Sequence, residues 1–196
     1  GSMTVRDKDY HAQSPQQAMA AGVSLVAGDR TGESLVMSMS VRENLFLNPC
    51  ASGHPLLSRY GRRAEIGASW WKVQLFDVRP KDVNLDISAL SGGNQQKVVM
   101  ARWMHLNAPL LILEDPTAGV DVGAREEIYH LLNKALADGI AVLVISNDFE
   151  EIAHICNRAL VFNRGQVVGE LKNEQVTFAN LLELASASHE TPVATV

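Results

Sequence analysis

An α/β fold built on a parallel sheet is predicted by three observations. Short β-rich apolar runs alternate with longer helical patterns along the 196 residues. Three of those runs, GVSLVAG (Gly22–Gly28), PLLILED (Pro109–Asp115) and IAVLVISND (Ile140–Asp148), are near-continuously apolar. Strands buried on both faces of a parallel sheet read this way. Between the last two lies VGAREEIYHLLNKALADG, with Ile128, Leu131, Leu132 and Leu136 at helical spacing and Gly139 as a stop signal. Strand, helix and strand in that order make a βαβ crossover.

The remaining elements follow along the chain. From about Val41 to Ala89 the pattern changes to two amphipathic helical stretches, SVRENLFL and RRAEIGASWWKVQLF, separated by the loop NPCASGHP. This block reads as a helical insertion in the α/β core. LSGGNQQKVVMARWM (Leu90–Met104) opens with a serine and two glycines and runs straight into a helix. A helix start directs free N–H groups and a partial positive charge at whatever lies in front of it, and phosphate is its natural guest. ALVFNRGQVVGEL (Ala159–Leu171) reads as a hairpin turning at Asn163-Arg164-Gly165. Beyond Leu182 the stretch ELASASHETPVATV reads as a tail, disordered at its end.

Composition limits the function. The length fits one domain, or one with a small subdomain. A hydrophobic content of 46% and a formal net charge of -5 suit a soluble globular protein and argue against a nucleic-acid binder. Cys50 and Cys156 form neither a metal-ligand spacing nor a disulfide framework, and the histidines show no paired spacing with them. No apolar run reaches the roughly 18 residues of a membrane span. Trp70, Trp71 and Trp103 read as packing residues rather than a sugar platform.

The chemistry concentrates in two places. PLLILED ends on adjacent carboxylates, Glu114 and Asp115, at the C-terminal edge of a strand, where ligands bind in open α/β sheets. One carboxylate there can hold Mg²⁺ and its neighbour can orient an attacking water for phosphoryl transfer. Alone, the pair also reads as two solvated side chains opening a loop, and SGG as a turn with an N-cap. Their combination in order, with PTAGVD directly following, carries the argument.

These residues resemble a known family. LSGGNQQKVVMAR is similar to the signature motif of ABC-type ATPases, and LLILEDPTAGVD to their Walker B strand and D-loop. The variant LSGGNQQK, with GVDVGAR and SVRENLFL, resembles the second nucleotide-binding half of bacterial monosaccharide importers of the ribose, galactose, arabinose and xylose type. The resemblance runs from about Ser14 to Leu182 and implies a partial P-loop NTPase core. Residues 1–32 would be the Q-loop strand region of the core and 33–90 the helical subdomain. Residues 91–182 would carry the signature helix, Walker B, D-loop and switch region, and 183–196 the tail. No lysine here follows a glycine, so the phosphate-cradling loop G-x-x-x-x-G-K-[ST] is not in this chain. In the family that loop, its strand and its helix precede the region matched.

The resemblance also implies roles. Ser91, Gly92 and Gly93, with Asn94 and Gln95 starting the helix, would face ATP held by the other nucleotide-binding half. Asp121 would cross the same interface. Glu114 would hold Mg²⁺, Asp115 would polarise the water, and Asn147 would stand at the switch position. The subunit would power sugar import at the cytoplasmic face of the cell membrane as a peripheral protein. Its partners would be membrane permease subunits and, indirectly, a sugar-binding protein, without nucleic acid. Two alternatives are a soluble ABC-type ATPase and a non-catalytic truncated module. Which sugar is carried is not written in this chain.

Three positions depart from the family pattern. Family members typically read Asp-Glu where this chain has Glu114-Asp115, so the longer side chain takes the metal role and the shorter one the water role. Many members place a histidine where Asn147 stands. The segment VPEDR of relatives appears as VAGDR, with Gly28 in place of an acidic residue. The chain's own site is therefore expected to be slow while its signature is intact, and the segment alone to be inactive. With the P-loop strand missing from the sheet, the flanking strands Ala141–Ile145 and Ala159–Phe162 would either pair with each other or drive self-association.

Overall fold

In a computed structural model, residues 2–48, 61–104 and 108–186 are described, and they fall into two units, Gly1–Ile145 and Ser146–Val196. Most of the expected loop NPCASGHP and the end of the tail lie outside the described residues.

The first unit opens with a hairpin of two-residue strands, β1 (Thr4–Val5) and β2 (Lys8–Asp9), turned by Arg6 and Asp7 at positive φ. Helix α1 (Pro15–Ala20) starts where proline's fixed φ fits the first helical position and Ser14 Oγ accepts the Gln17 N–H at 3.3 Å. Strand β3 (Val23–Val26) leads into a π-helical turn, Arg30–Ser34. Asp29 dictates that turn, because its Oδ1 accepts the N–H groups of Thr31 (3.1 Å) and Gly32 (2.8 Å). A Cβ on Gly32 would overlap the same carboxylate, so glycine lets Asp29 keep this placement.

The helical block follows as expected, with α2 (Val41–Leu45) and α3 (Arg62–Leu75). Ser40 and Glu43 close a capping box at the start of α2. Asn44, fully buried, spends its amide on Val36, Met39 and Ser40 and so pins the chain entering that helix. Helix α4 (Gly92–Trp103) packs against α2 and β3, and α5 (Val122–Ala137) packs against β5. Helix α5 stops at Gly139, which takes φ 83° and donates to Leu136 O, while the Ile140 N–H donates to Ala135 O. That pair of bonds is a Schellman stop, made possible by glycine's access to left-handed backbone.

Strands β3, β4 (Leu110–Glu114) and β5 (Ala141–Ile145) form a parallel sheet in that order, with Leu25, Ile112 and Leu143 in register and Glu114 opposite Ile145. The expected βαβ crossover is thus present. Burial differs from the sequence reading in two respects. Leu111, Leu113 and Val26 lie on the covered face, whereas Leu25, Leu143 and Ile145 on the other are about half exposed. Apolar runs report what a strand is able to bury, not what covers it. On α5 the buried residues are Ile128, Tyr129, Leu132 and Ala135, with Leu136 exposed, so the inward stripe is rotated from the one expected.

The second unit holds α6 (Phe149–Ile155), the hairpin β6 (Arg158–Asn163) and β7 (Gln166–Lys172), and α7 (Phe178–Ser186). The hairpin turns on Arg164 and Gly165, both at positive φ, the backbone that a two-residue turn between right-twisted strands requires. Helix α7 packs on both strands and on α6, and it continues four residues beyond Leu182 into the segment expected as tail. Strand β6 pairs with β7, and β5 with β4.

Candidate nucleotide-facing site

The sheet's C-terminal edge carries the acidic pair. The Gly28 N–H donates to Glu114 Oε2 at 3.3 Å, which ties the loop after β3 to the last residue of β4. A Cβ on Gly28 would lie 3.5 Å from the Glu114 Cβ and 3.7 Å from Asp115 Oδ2. An acidic side chain there would add a third negative charge to the cluster, and glycine removes that repulsion. Asp115 turns the chain out of the strand at φ 41°, with its N–H donating to Ile145 O at 2.8 Å. Asp and Asn are among the few residues other than glycine that occupy this left-handed region readily.

Helix α4 begins at Ser91, whose Oγ makes no capping bond and instead accepts from Asn94 Nδ2 at 2.9 Å. By helix geometry the N–H groups of Gly92, Gly93 and Asn94 have no carbonyl within the helix, so they face outward with the positive end of the dipole. The glycines have a second reason to be there. A Cβ on Gly92 would sit 3.0 Å from Gly119 O and 3.1 Å from Arg30 Nη2, and one on Gly93 would overlap the Ala124 Cβ. The space left by their missing side chains is filled by the segment after Asp115 and by α5. Packing by itself demands them.

Asn94 and Gln95 carry local structural bonds. Asn94 Oδ1 accepts the Arg79 N–H at 2.7 Å. Gln95 is buried and donates from Nε2 to Ile87 O (3.2 Å) and Leu90 O (3.1 Å), while its Oε1 accepts from Arg30 Nε (3.3 Å). Asp121 is the N-cap of α5, its Oδ1 accepting the Ala124 N–H at 3.0 Å. Within the first unit Ser91 to Gln95 thus lie beside Gly119 and the start of α5 at Asp121, while Glu114 and Asp115 stand at the end of β4 beside Gly28. Asn147 is exposed and belongs to the second unit.

Several participants escaped the sequence reading because their partners are far away in the chain. Arg102 is buried, and it donates from Nε to Asn44 O (2.8 Å) and from Nη1 to Ser34 O (2.7 Å). Burial draws its guanidinium down to about 10. Lys97, also buried, donates to Asp77 O (3.0 Å) and pairs with Glu127 on α5. A cation in the middle of an otherwise apolar helix face was the available signal.

Among the described residues no group of three or more His, Cys, Asp and Glu side chains gathers to hold a metal. Mg²⁺ is commonly held by one or two carboxylates together with substrate phosphates, and Glu114 with Asp115 supplies that number.

The ABC transporter family model matches residues 1–118 of the chain. The chain belongs to the ABC transporter family. Relatives include a ribose import ATP-binding protein of Rubrobacter xylanophilus, 38% identical over 98% of this chain, and one of Rhizobium meliloti, 37% identical over 94%. An arabinose import ATP-binding protein of Pseudomonas fluorescens is 34% identical over 96% of this chain. The chain spans 37–39% of the length of these three relatives. Among solved structures, a nucleotide-free ATP-binding cassette of an ABC transporter superposes with a TM-score of 0.72 at 21% identity, covering 90% of this chain and 71% of that one. A dimeric cassette in a post-hydrolysis state with ADP and Pi gives a TM-score of 0.70 at 21% identity, covering 88% and 73%. At that identity the likeness concerns the ABC ATPase fold. The partial P-loop NTPase core expected from the motifs agrees with it. Among the described residues no helix is long and apolar enough to cross a membrane.

Proposed function

We propose that this chain is the signature-bearing part of the ATP-hydrolysing subunit of an ABC sugar importer, corresponding to the later part of its second nucleotide-binding half. It would complete, in trans, a nucleotide site held by the other half. The observation that carries this reading is the start of α4, where outward N–H groups stand on a helix end held in place by Gly119, Ala124 and Gln95. A preorganised set of donors stabilises charge developing on a transferring phosphoryl group without reorganising at the moment of reaction.

In that arrangement Ser91, Gly92 and Gly93 face the phosphates, while Asn94 and Gln95 hold the first turn in shape. Asp121 lies at the facing surface between the halves. Glu114 takes the metal position of the chain's own site, Asp115 the water-orienting one, and Asn147 the switch position as a neutral hydrogen-bonding group. Bound Mg²⁺ would neutralise phosphate charge there. The subunit would sit at the cytoplasmic face of the membrane against permease subunits, which receive sugar from a binding protein. Similarity to sugar import proteins supports this over a soluble ABC-type ATPase.

Two measurements test the reading. Calorimetry of this chain with Mg-ATP should give no binding tighter than about 10 μM, roughly -7 kcal/mol, because no glycine-lysine loop wraps the phosphates. In the transporter ATPase that contains this segment, Ser91→Arg should remove most turnover by covering the N–H groups of α4. Retained activity would refute the trans role.

A further inference from the structure

Arg30 leaves the chain at the start of the π-helical turn and touches two motifs at once. Its Nε donates to Gln95 Oε1 in the first turn of α4, and its Nη1 donates to Ala118 O beyond Asp115, each at 3.3 Å. The guanidinium lies beside two glycines: a Cβ on Gly92 would be 3.1 Å from Nη2, and one on Gly119 would be 4.0 Å away. Gln95 is a fixed anchor, because its amide nitrogen is already committed to the carbonyls of Ile87 and Leu90, which leaves its oxygen facing Arg30. The other end of the same turn is also tied to α4, through Ser34 O and Arg102 Nη1. The turn Arg30–Ser34 is therefore bonded to α4 near both ends of that helix.

We propose that Arg30 is a positioning residue that locks the phosphate-facing end of α4 to the segment following the acidic pair, so that Ser91–Gly93 and Glu114–Asp115 keep one relative placement. The proposal rests on the reading of α4 as phosphate-facing. The residue type follows from the geometry. A planar fork reaches Gln95 and Ala118 in two directions at once, whereas a lysine ammonium on a single stem does not hold that rigid pair of directions. Both bonds are long, and partial burial draws the guanidinium below its ordinary value. What Arg30 contributes is placement more than stability.

Hydrogen exchange on this chain reads the placement directly. Arg30→Ala should speed exchange at Gln95 and Gln96 and at Val120, whose amides are hydrogen-bonded, by about 10-fold, while amides of Leu111 and Leu113 in β4 keep their rates. Gln95→Ala should speed the α4 amides similarly, and the double variant should add little to either single one. Arg30→Lys keeps the charge and most of the stem, so it serves if Arg30→Ala does not fold, and it should give intermediate exchange. In the transporter ATPase, Arg30→Ala should lower kcat about 100-fold with the KM for ATP within about 2-fold, because misplacement of about 1 Å penalises chemistry. Unchanged exchange at both segments, or a change in KM alone, overturns the proposal. If Ser91→Arg leaves turnover intact, the trans reading fails, and the exchange rates still decide whether Arg30 holds α4.

Discussion

The Lys72 ammonium lies 5.2 Å from the centre of the Phe46 ring, buried and with no hydrogen-bond acceptor among the described residues. Burial first, then the positive charge of Arg102, push it down to about 8. The ring's negative face offsets only part of the lost hydration. Because the folded value lies below the unfolded one near 10.5, the unfolded chain holds more protons between the two, so stability should rise with pH from about 8 to 10.5. The rise should be about 3 kcal/mol. Lys72→Met should be more stable at pH 7 and should lack that rise; parallel denaturant titrations at pH 7 and pH 10 measure both.

Gly93→Ala sets helix propensity against packing. Alanine is favoured over glycine in a helix by about 1 kcal/mol. Its Cβ would nevertheless overlap Ala124, and overpacking costs about 1–3 kcal/mol. The substitution should therefore lower the melting temperature, and Ala124→Gly added to it should recover most of the loss. A stabilised Gly93→Ala chain would show that α4 and α5 do not meet as described.

Exchanging the acidic pair, Glu114→Asp with Asp115→Glu, should raise turnover at this segment's own site in the transporter ATPase, because side-chain reach then matches the role proposed for each. The same change should reduce stability by about 1 kcal/mol, because position 115 has φ 41° and glutamate tolerates left-handed backbone less well than aspartate. Turnover and a melt on the same variant should move in opposite directions.

Strand β5 is hydrogen-bonded to β4, and Leu143 and Ile145 along it are about half exposed. An edge strand with an apolar face is a template for another chain. The chain should self-associate at micromolar concentration, as read by size-exclusion chromatography with light scattering. A clean monomer with a cooperative melt would overturn this.

Local signals in the sequence were the legible ones. Parallel strands showed as apolar runs, the α5 stop as Gly139, and the β6–β7 hairpin as a glycine after two polar residues. The β1–β2 hairpin was not legible, because two-residue strands carry no period and Arg6-Asp7 is no standard turn pair. At the site, SGG and the acidic pair were visible. The tethers made by Arg30 and Arg102 were not, because their partners lie 65 to 88 and 58 to 68 positions away in the chain.

The double attachment of the Arg30–Ser34 turn leaves α4 no free end to swing. Its 12 residues span about 18 Å. A pivot of only ~3° at the Arg102 end would carry Ser91 through ~1 Å, the displacement at which catalytic geometry begins to fail. A tether at the Arg102 end alone would therefore leave the helix tip loose, and the Arg30 bond at the other end removes that freedom.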